Sequence, residues 1–360
     1  MVLNDRQRVV VAMSGGVDSS VTAALLKQQG FDVVGMMLRL WSEPGTEADN
    51  RCCTPDAMAQ ARRVAAKLGI PFYAVDAKDT FFRNVVQYFI DGYSQGITPN
   101  PCLECNRQVR WQFLLQHALA LGATHLATGH YARLAKDEED GVFQLLRALD
   151  RSKDQSYILH VLDQEKLQHA LFPLGNYTKS QVRQMARDFD LPVAERADSQ
   201  DLCFLAGHDL QGFIRRNTVE EIKPGLILNR QGERLGEHKG LAFYTIGQRK
   251  GLGIAHPEPL YVLDKNITEN TLIVGTKDEL GRLELTAEKV NWVSGKTPPF
   301  KFNAQVKIRY RANEAPATIT LLEDARIHIQ FDEPVRDITP GQAAVIFDGE
   351  ICLGGGIITG

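Results

Sequence analysis

The chain has 360 residues, 44% of them hydrophobic, enough to bury a full core and to divide into two or three domains. A formal net charge of −3, with an isoelectric point near 6.3, excludes a protein that gathers nucleic acid by whole-chain attraction, so any RNA contact has to come from a local basic face. No stretch approaches an apolar membrane span, residues 1–6 lack the apolar core of a secretory signal, and six cysteines in so long a chain read as reduced thiols; the expected location is the cytoplasm, with no membrane partner.

In chain order, residues 8–13 form a short β-branched apolar run that reads as a buried parallel strand. Ser14-Gly15-Gly16-Val17-Asp18-Ser19 follows, and then the helical spacing of Val21, Ala24, Leu25 and Leu26. Two glycines at a strand-to-helix turn let backbone N–H groups converge on an anion at the positive end of the helix. No lysine follows the glycines, so this is not the phosphate loop of mononucleotide kinases and GTPases. It resembles instead the pyrophosphate loop of enzymes that split ATP into AMP and pyrophosphate. Residues 31–40 read as a second strand, Pro55–Leu68 as a helix stopped by Gly69, and 71–75 as a third strand. Residues 109–121 read as a helix, 125–130 as a strand end entering a loop, and 136–141 as a solvated hairpin tip. The alternation predicts an α/β fold with a doubly wound parallel sheet and ligands at the carboxyl ends of its strands. After about Asp209 glycine and proline become frequent, helical periodicity fades, and alternating runs such as 271–274 and 305–310 predict two small β-rich domains. The expected domains are 1–208, 209–283 and 284–360, with the second break within 281–290.

Further motifs join the first loop. They are Thr98-Pro99-Asn100-Pro101-Cys102-Leu103-Glu104-Cys105-Asn106, Ala127-Thr128-Gly129-His130-Tyr131-Ala132-Arg133 and Lys153-Asp154-Gln155-Ser156-Tyr157. Asp198-Ser199-Gln200-Asp201-Leu202-Cys203-Phe204, the run from Tyr244 to Gly253, Thr339-Pro340-Gly341-Gln342 and Cys352-Leu353-Gly354-Gly355-Gly356 complete the set. In this order, over nearly the whole chain, they resemble the tRNA-specific 2-thiouridylase family of the pyrophosphate-loop ATPases. The resemblance implies an adenine nucleotide alpha-hydrolase-like first domain. It also implies ATP- and Mg²⁺-dependent replacement of the 2-oxygen of the wobble uridine by sulfur in tRNAs for Lys, Glu and Gln. The sulfur would come from a donor protein, either a persulfide relay or a cysteine desulfurase.

By the same resemblance, Ala12, Met13, Ser14, Gly15, Gly16, Val17, Asp18 and Ser19 hold the ATP phosphates, while Leu38 and Gly129 line the adenine pocket. Asp18 has two readings, a Mg²⁺ or pyrophosphate ligand and a helix N-terminal cap. Cys105 matches the catalytic cysteine and Cys203 the persulfide carrier; an attack of one thiol on a persulfide at the other would join them as a disulfide during turnover. Asn100, Pro101 and Cys102 match the target-base segment. His130, Lys153, Asp154, Gln155, Arg309, Tyr310 and Gln342 match tRNA contacts. Cys102 stands where the family usually has aspartate, and a thiol lacks the acceptor strength of a carboxylate. Cys102, Cys105 and Cys203 together make a three-thiolate set suited to a 4Fe–4S cluster with one open iron; a metal-free relay is the competing reading. Cys52 and Cys53 read as incidental and Cys352 as core. Lys307, Arg309 and Arg311 alternate with Val306, Ile308 and Tyr310, which on a strand would set three cations about 7 Å apart on one face, against the alternative of a merely solvated face. Two other functions compete. An ATP-pyrophosphatase-loop ligase or amidotransferase would not need two motif-borne cysteines, and a non-catalytic tRNA-binding protein would not need an intact phosphate loop.

Overall fold

Residues 7–45, 54–197, 202–205, 210–218 and 222–360 are described by a computed structural model; Cys52, Cys53 and residues 198–201 of the Cys203 motif lie outside the described residues. The first apolar run forms β1 (Arg8–Ala12), whose three valines are fully buried, as a strand covered on both faces requires. It lies at the centre of a five-stranded parallel sheet with β2 (Asp32–Arg39), β3 (Phe72–Asp76), β4 (His125–Ala127) and β7 (Ala170–Leu171), in the order β3-β2-β1-β4-β7. Helix α1 (Val17–Gln28) leaves β1 directly. Helix α2 (Pro55–Leu68) has the local signals its sequence carries: Thr54 accepts from Ala57 N–H at 3.0 Å, Pro55 opens the first turn, and Gly69 ends it in the left-handed conformation. From β1 the chain lays β2 and β3 on one side, then returns to place β4 on the other. That reversal opens a crevice at the carboxyl ends of β1 and β4, where open α/β sheets bind ligands.

The helix expected at 109–121 begins earlier, at Pro101, with Asn100 as its cap. It winds as a π-helix across Cys105–Leu114 and finishes as Leu115–Ala120. The stretch after 209 also opens with a helix, Leu210–Asn217, whose Phe213 and Ile214 are buried. A four-stranded sheet follows, in the order β10-β11-β8-β9, from β8 (Gly225–Leu228), β9 (Arg234–His238), β10 (Tyr261–Asn266) and β11 (Thr271–Gly275). Residues 276–281 lead into β12 (Arg282–Trp292), which runs through the expected break. With β13 (Lys301–Lys307), β14 (Ala315–Leu321), β15 (Ile327–Val335), β16 (Ala343–Asp348) and β17 (Ile351–Ile358), it closes a six-stranded barrel through the β12–β17 pairing.

A hairpin of the first domain, β5 (Arg133–Lys136) and β6 (Phe143–Leu146), leaves the parallel sheet and adds itself to the barrel, with Leu145 and Leu146 paired to Cys352 and Ile351. Its charged tip stays at the surface, and Asp140 reaches Lys296 of the barrel at 2.5 Å. Arg147 clamps the join: its guanidinium lies 3.6 Å from the centre of the Phe347 ring, pairs with Glu314 at 2.5 Å and donates to Gly349 O. One apolar cluster therefore spans both domains, taking Leu145, Tyr157, Leu159 and Val161 from the first and Val345, Phe347 and Cys352 from the barrel. Cys352 is core, and burial pushes its thiol well above the ordinary range.

His160 sits at this join, 1% exposed, where Gly355 makes room for its ring and its Nδ1 meets Tyr157 O at 2.7 Å. Burial pulls its pKa down to about 4. An unfolded chain takes up this proton near the ordinary histidine value, whereas the folded chain resists until about pH 4, so stability is lost as pH falls across that window. Urea midpoints measured from pH 7 to pH 4 are expected to fall less steeply in His160→Gln than in wild type. Parallel curves would remove His160 from the acid response.

Candidate active site

The glycine turn after β1 is built so that side chains stay out of its mouth. Gly15 has φ +71°, and a Cβ there would lie 2.2 Å from the carbonyl oxygen of Ala57 in α2. Gly16 caps α1 with its backbone alone. Serine hydroxyls hold the turn from inside: Ser14 N–H donates to Ser19 Oγ at 3.1 Å, and Ser20 Oγ donates to Gly16 O at 2.7 Å. Gly129, just past β4, lies so close to the first turn of α1 that a Cβ would come 2.9 Å from Ser19 N. Ala12, Met13, Val17 and the rest of the loop, Gly129, and the half-buried Leu38 at the end of β2 thus gather at the carboxyl ends of β1, β2 and β4.

Asp18 does not cap the helix. Its carboxylate accepts from Lys179 Nζ at 2.7 and 2.8 Å and from the Tyr131 hydroxyl at 2.9 Å. One third of its side chain is exposed, a hard oxygen donor of the kind Mg²⁺ takes, with a half-buried ammonium beside it that suits phosphate. Arg196 completes the surround, donating to Gly15 O at 3.2 Å and pairing with Asp56 at 3.2 Å. Lys179 and Arg196 are the residues that sequence reasoning missed. A signal for Lys179 existed: it is the first residue of the Lys179–Asp188 helix, behind a Thr178–Gln181 capping box, where the helix dipole disfavours a cation.

The thiols occupy a second region. Asn100 Oδ1 accepts from Cys102 N–H at 3.2 Å and Pro101 fills the first helical position, so both residues set the start of the cysteine helix. Cys102 is exposed, and Cys105, one turn on, is buried at 8% exposure. Asn106 donates back to Cys102 O at 3.0 Å. Cys203 is half-buried beside Phe204, which is locked among Phe81, Phe89 and Phe213 with ring centroids 5.1–6.0 Å away. Cys105 and Cys203 border the same apolar cluster. Among the described residues no three His, Cys, Asp or Glu side chains gather as metal ligands, so the three cysteines do not form a ready-made cluster site.

The residues expected at tRNA are more varied than the motifs imply. Tyr310 is exposed, stacks edge-on to Tyr157 at 6.2 Å, and has its phenol held above the ordinary range by burial first, then by Asp154. Lys153 is half-buried. Asp154, however, is 5% exposed, and its carboxylate is taken up by Ala148 N–H, Ser156 N–H and Ser156 Oγ. Gln155 Oε1 accepts from Tyr131 N–H, tying this turn to the residue whose hydroxyl meets Asp18. His130 is 5% exposed: Arg110 donates to its Nε2 at 3.0 Å and its Nδ1 meets Thr128 Oγ1 at 2.7 Å, while burial, then Arg110, keeps it far below its ordinary pKa and neutral. Arg309 donates to Ile246 O at 2.9 Å and to Thr339 Oγ1, and Gln342 donates to Thr98 O at 2.8 Å; these contacts join domains. The expected strand of three cations also ends early. β13 stops at Lys307, and the turn that follows leaves Arg311 exposed, Arg309 inward and Lys307 half-buried over the Tyr310 ring.

Three family models match in sequence order: a tRNA methyl transferase HUP domain over residues 7–207, a tRNA methyl transferase PRC-barrel domain over 211–276 and an aminomethyltransferase beta-barrel domain over 282–358. The tRNA-specific 2-thiouridylase MnmA 1 of a Thermoanaerobacter species is 47% identical over 99% of both chains. The tRNA-specific 2-thiouridylase MnmA of Moorella thermoacetica is 48% identical over 97% of this chain and 98% of its own. The solved U34-tRNA thiolase NcsA from Methanococcus maripaludis with its 4Fe-4S cluster covers 56% of this chain and 64% of its own, at 19% identity and a TM-score of 0.36, too distant to bear on the cysteines here. The domain models are described by methyl transfer, but near-half identity along whole chains outweighs a domain label. The chain belongs to the tRNA-specific 2-thiouridylases, a family of sulfurtransferases.

Proposed function

We propose that the protein activates the 2-oxygen of the wobble uridine in tRNAs for Lys, Glu and Gln with ATP and replaces it with sulfur carried as a persulfide on Cys203. The observation that carries the reading is the placement of Cys105 and Cys203, far apart in sequence, on one apolar cluster. The exposed Cys102 and the Asn100 cap lie one helical turn from Cys105.

A carbonyl oxygen is a poor leaving group. Attack of the uridine oxygen on the α-phosphorus of ATP expels pyrophosphate and turns that oxygen into part of a good leaving group, AMP. Loop amides of residues 14–19 and the Lys179 ammonium receive the phosphate charge. Asp18 fits Mg²⁺, which when bound would offset phosphate charge. The Cys105 thiolate then attacks Sγ of the Cys203 persulfide, forming a Cys105–Cys203 disulfide and releasing hydrosulfide. The hydrosulfide adds at C2, and AMP leaves. The Cys105 sulfur is oxidised as the outer persulfide sulfur is reduced to hydrosulfide, and an external thiol reductant then reopens the disulfide. The donor protein, a persulfide relay or a cysteine desulfurase, meets Cys203. The proposed relay runs without an iron–sulfur cluster; among the described residues Cys102, Cys105 and Cys203 do not group as a metal site.

Mass spectrometry of wobble uridines, after incubation of tRNA with the protein, ATP, Mg²⁺ and a persulfide donor, tests the reading. 2-Thiouridine is expected, and its absence would refute the assignment. For the nucleotide site, Lys179→Met is expected to weaken ATP binding in equilibrium dialysis at least tenfold while leaving tRNA affinity within twofold. Gly15→Ala, with its Cβ against Ala57 O, should abolish ATP binding. Equal losses of ATP and tRNA binding in Lys179→Met would show that the two sites are not separate.

For sulfur transfer, Cys105→Ser should trap the persulfide on Cys203, and peptide mapping after one wild-type turnover should find the Cys105–Cys203 disulfide. Anaerobically purified, iron-free protein should be fully active and Cys102→Asp should match it; activity that tracks iron content would refute the metal-free relay. The turn cation Arg311 should contribute salt-dependent tRNA affinity, its loss flattening the log-affinity against log-salt slope by roughly 0.7–0.9. An unchanged slope in Arg311→Ala would leave it a solvated side chain.

A further inference from the structure

Residues 96–100 lead from the Gln87–Ser94 helix into the cap of the cysteine helix, and other domains hold them. From the central domain, Lys265 of β10 donates its Nζ to Gly96 O at 2.9 Å, and Thr245 Oγ1, in the loop before β10, lies 3.4 Å from Thr98 Oγ1. From the barrel edge, Pro340 O accepts from Thr98 N–H at 3.1 Å and Gln342 Nε2 donates to Thr98 O at 2.8 Å. Gly341, at φ +91°, presses so close that a Cβ would lie 2.3 Å from Ile97 Cγ2. Arg309 ties the two grips together through Ile246 O and Thr339 Oγ1.

We propose that Lys265 is a positioning residue for the target-base segment: by fixing the Gly96 carbonyl from the central domain, it sets where Asn100, Cys102 and Cys105 present themselves to the uridine. This rests on the assignment of that segment to the base. The central domain contributes none of the thiols or loop amides, yet on this reading sulfur transfer depends on it. The chemistry of the contact supports the role. Lys265 is largely withdrawn from solvent with no carboxylate partner among the described residues, and burial pulls its pKa down to about 8. An apolar side chain would fill the same space without desolvating a cation, so a lysine there is explained by its aim at Gly96 O. Pinning two carbonyls on either side of Ile97 leaves the loop little freedom to shift the cap residue that starts the cysteine helix.

The experiment compares wild type with Lys265→Met and Lys265→Arg, and with Lys296→Met as a control that removes a cation at the distant hairpin tip. Three quantities are read: hydrogen exchange of the peptide spanning residues 96–104, tRNA affinity by filter binding, and the single-turnover rate of 2-thiouridine formation at saturating ATP and tRNA. Lys265→Met is expected to speed exchange in that peptide at least tenfold and slow the single turnover at least tenfold, with tRNA affinity within twofold. Lys265→Arg, which keeps a donor, should recover part of both, and Lys296→Met should match wild type. Unchanged exchange and rate in Lys265→Met would overturn the proposal. A loss of tRNA affinity as large as the loss of rate would also overturn it, making Lys265 an RNA contact. A wild type that forms no 2-thiouridine refutes the functional reading alone, and the exchange comparison still decides whether Lys265 holds the loop.

Discussion

The backbone at Gly15 passes through φ +71° directly beneath the carbonyl of Ala57, and the turn between β1 and α1 depends on that approach. Any Cβ would push α2 away from the turn and turn the loop amides out of line. Because the turn is this tight, the hydroxyls of Ser14, Ser19 and Ser20 can brace it from within at the positive end of α1. Gly129 makes the same allowance from β4. The loop is therefore held by packing, and its charge partners come from outside it, through Lys179 to Asp18 and Arg196 beside Gly15, with the Tyr131 hydroxyl also donating to Asp18.

The Asp18–Lys179 pair deserves its place in this scheme for an electrostatic reason. A carboxylate and an ammonium beside the glycine turn leave it nearly neutral when paired, while each has the charge to meet a ligand of opposite sign. Both remain partly solvated, so neither carries the full desolvation penalty of a deeply buried ion pair. His130, by contrast, is fully enclosed between Thr128 and Arg110 and stays neutral, a fixed part of the wall rather than a mobile acid or base.

The three domains are less separate than their sheets. The β5–β6 hairpin carries part of the first domain into the barrel, the Arg147 clamp and the shared core around Tyr157 lock that join, and Arg309 bridges the central and C-terminal domains. Residues 96–100 lie where these connections converge. The loop ahead of the cysteines consequently takes its shape from contacts made by residues far along the chain, with Arg309 Nη2 and the Gln342 amide among the donors at those joins.

What the sequence by itself determined is what short-range physics controls. The β-branched run of β1, the Thr54 cap, Pro55 start and Gly69 stop of α2, the glycine turn at 14–19 and the change to alternating strands are each decided by neighbouring residues, and each was legible. The motifs likewise marked the glycine turn and the cysteine-bearing segments along the chain. Tertiary structure alone decided the rest. The partnership of Asp18 with Lys179 spans 161 positions, the turn after Lys307 ends an alternation that continues in the sequence, and the burial of Asp154 and His130 follows from packing that no local pattern encodes. The reason is physical: propensity, capping and turn chemistry act within a few residues, whereas burial and pairing depend on which distant surfaces meet, and that is fixed only when the sheet, the barrel and the loop between them close on one another.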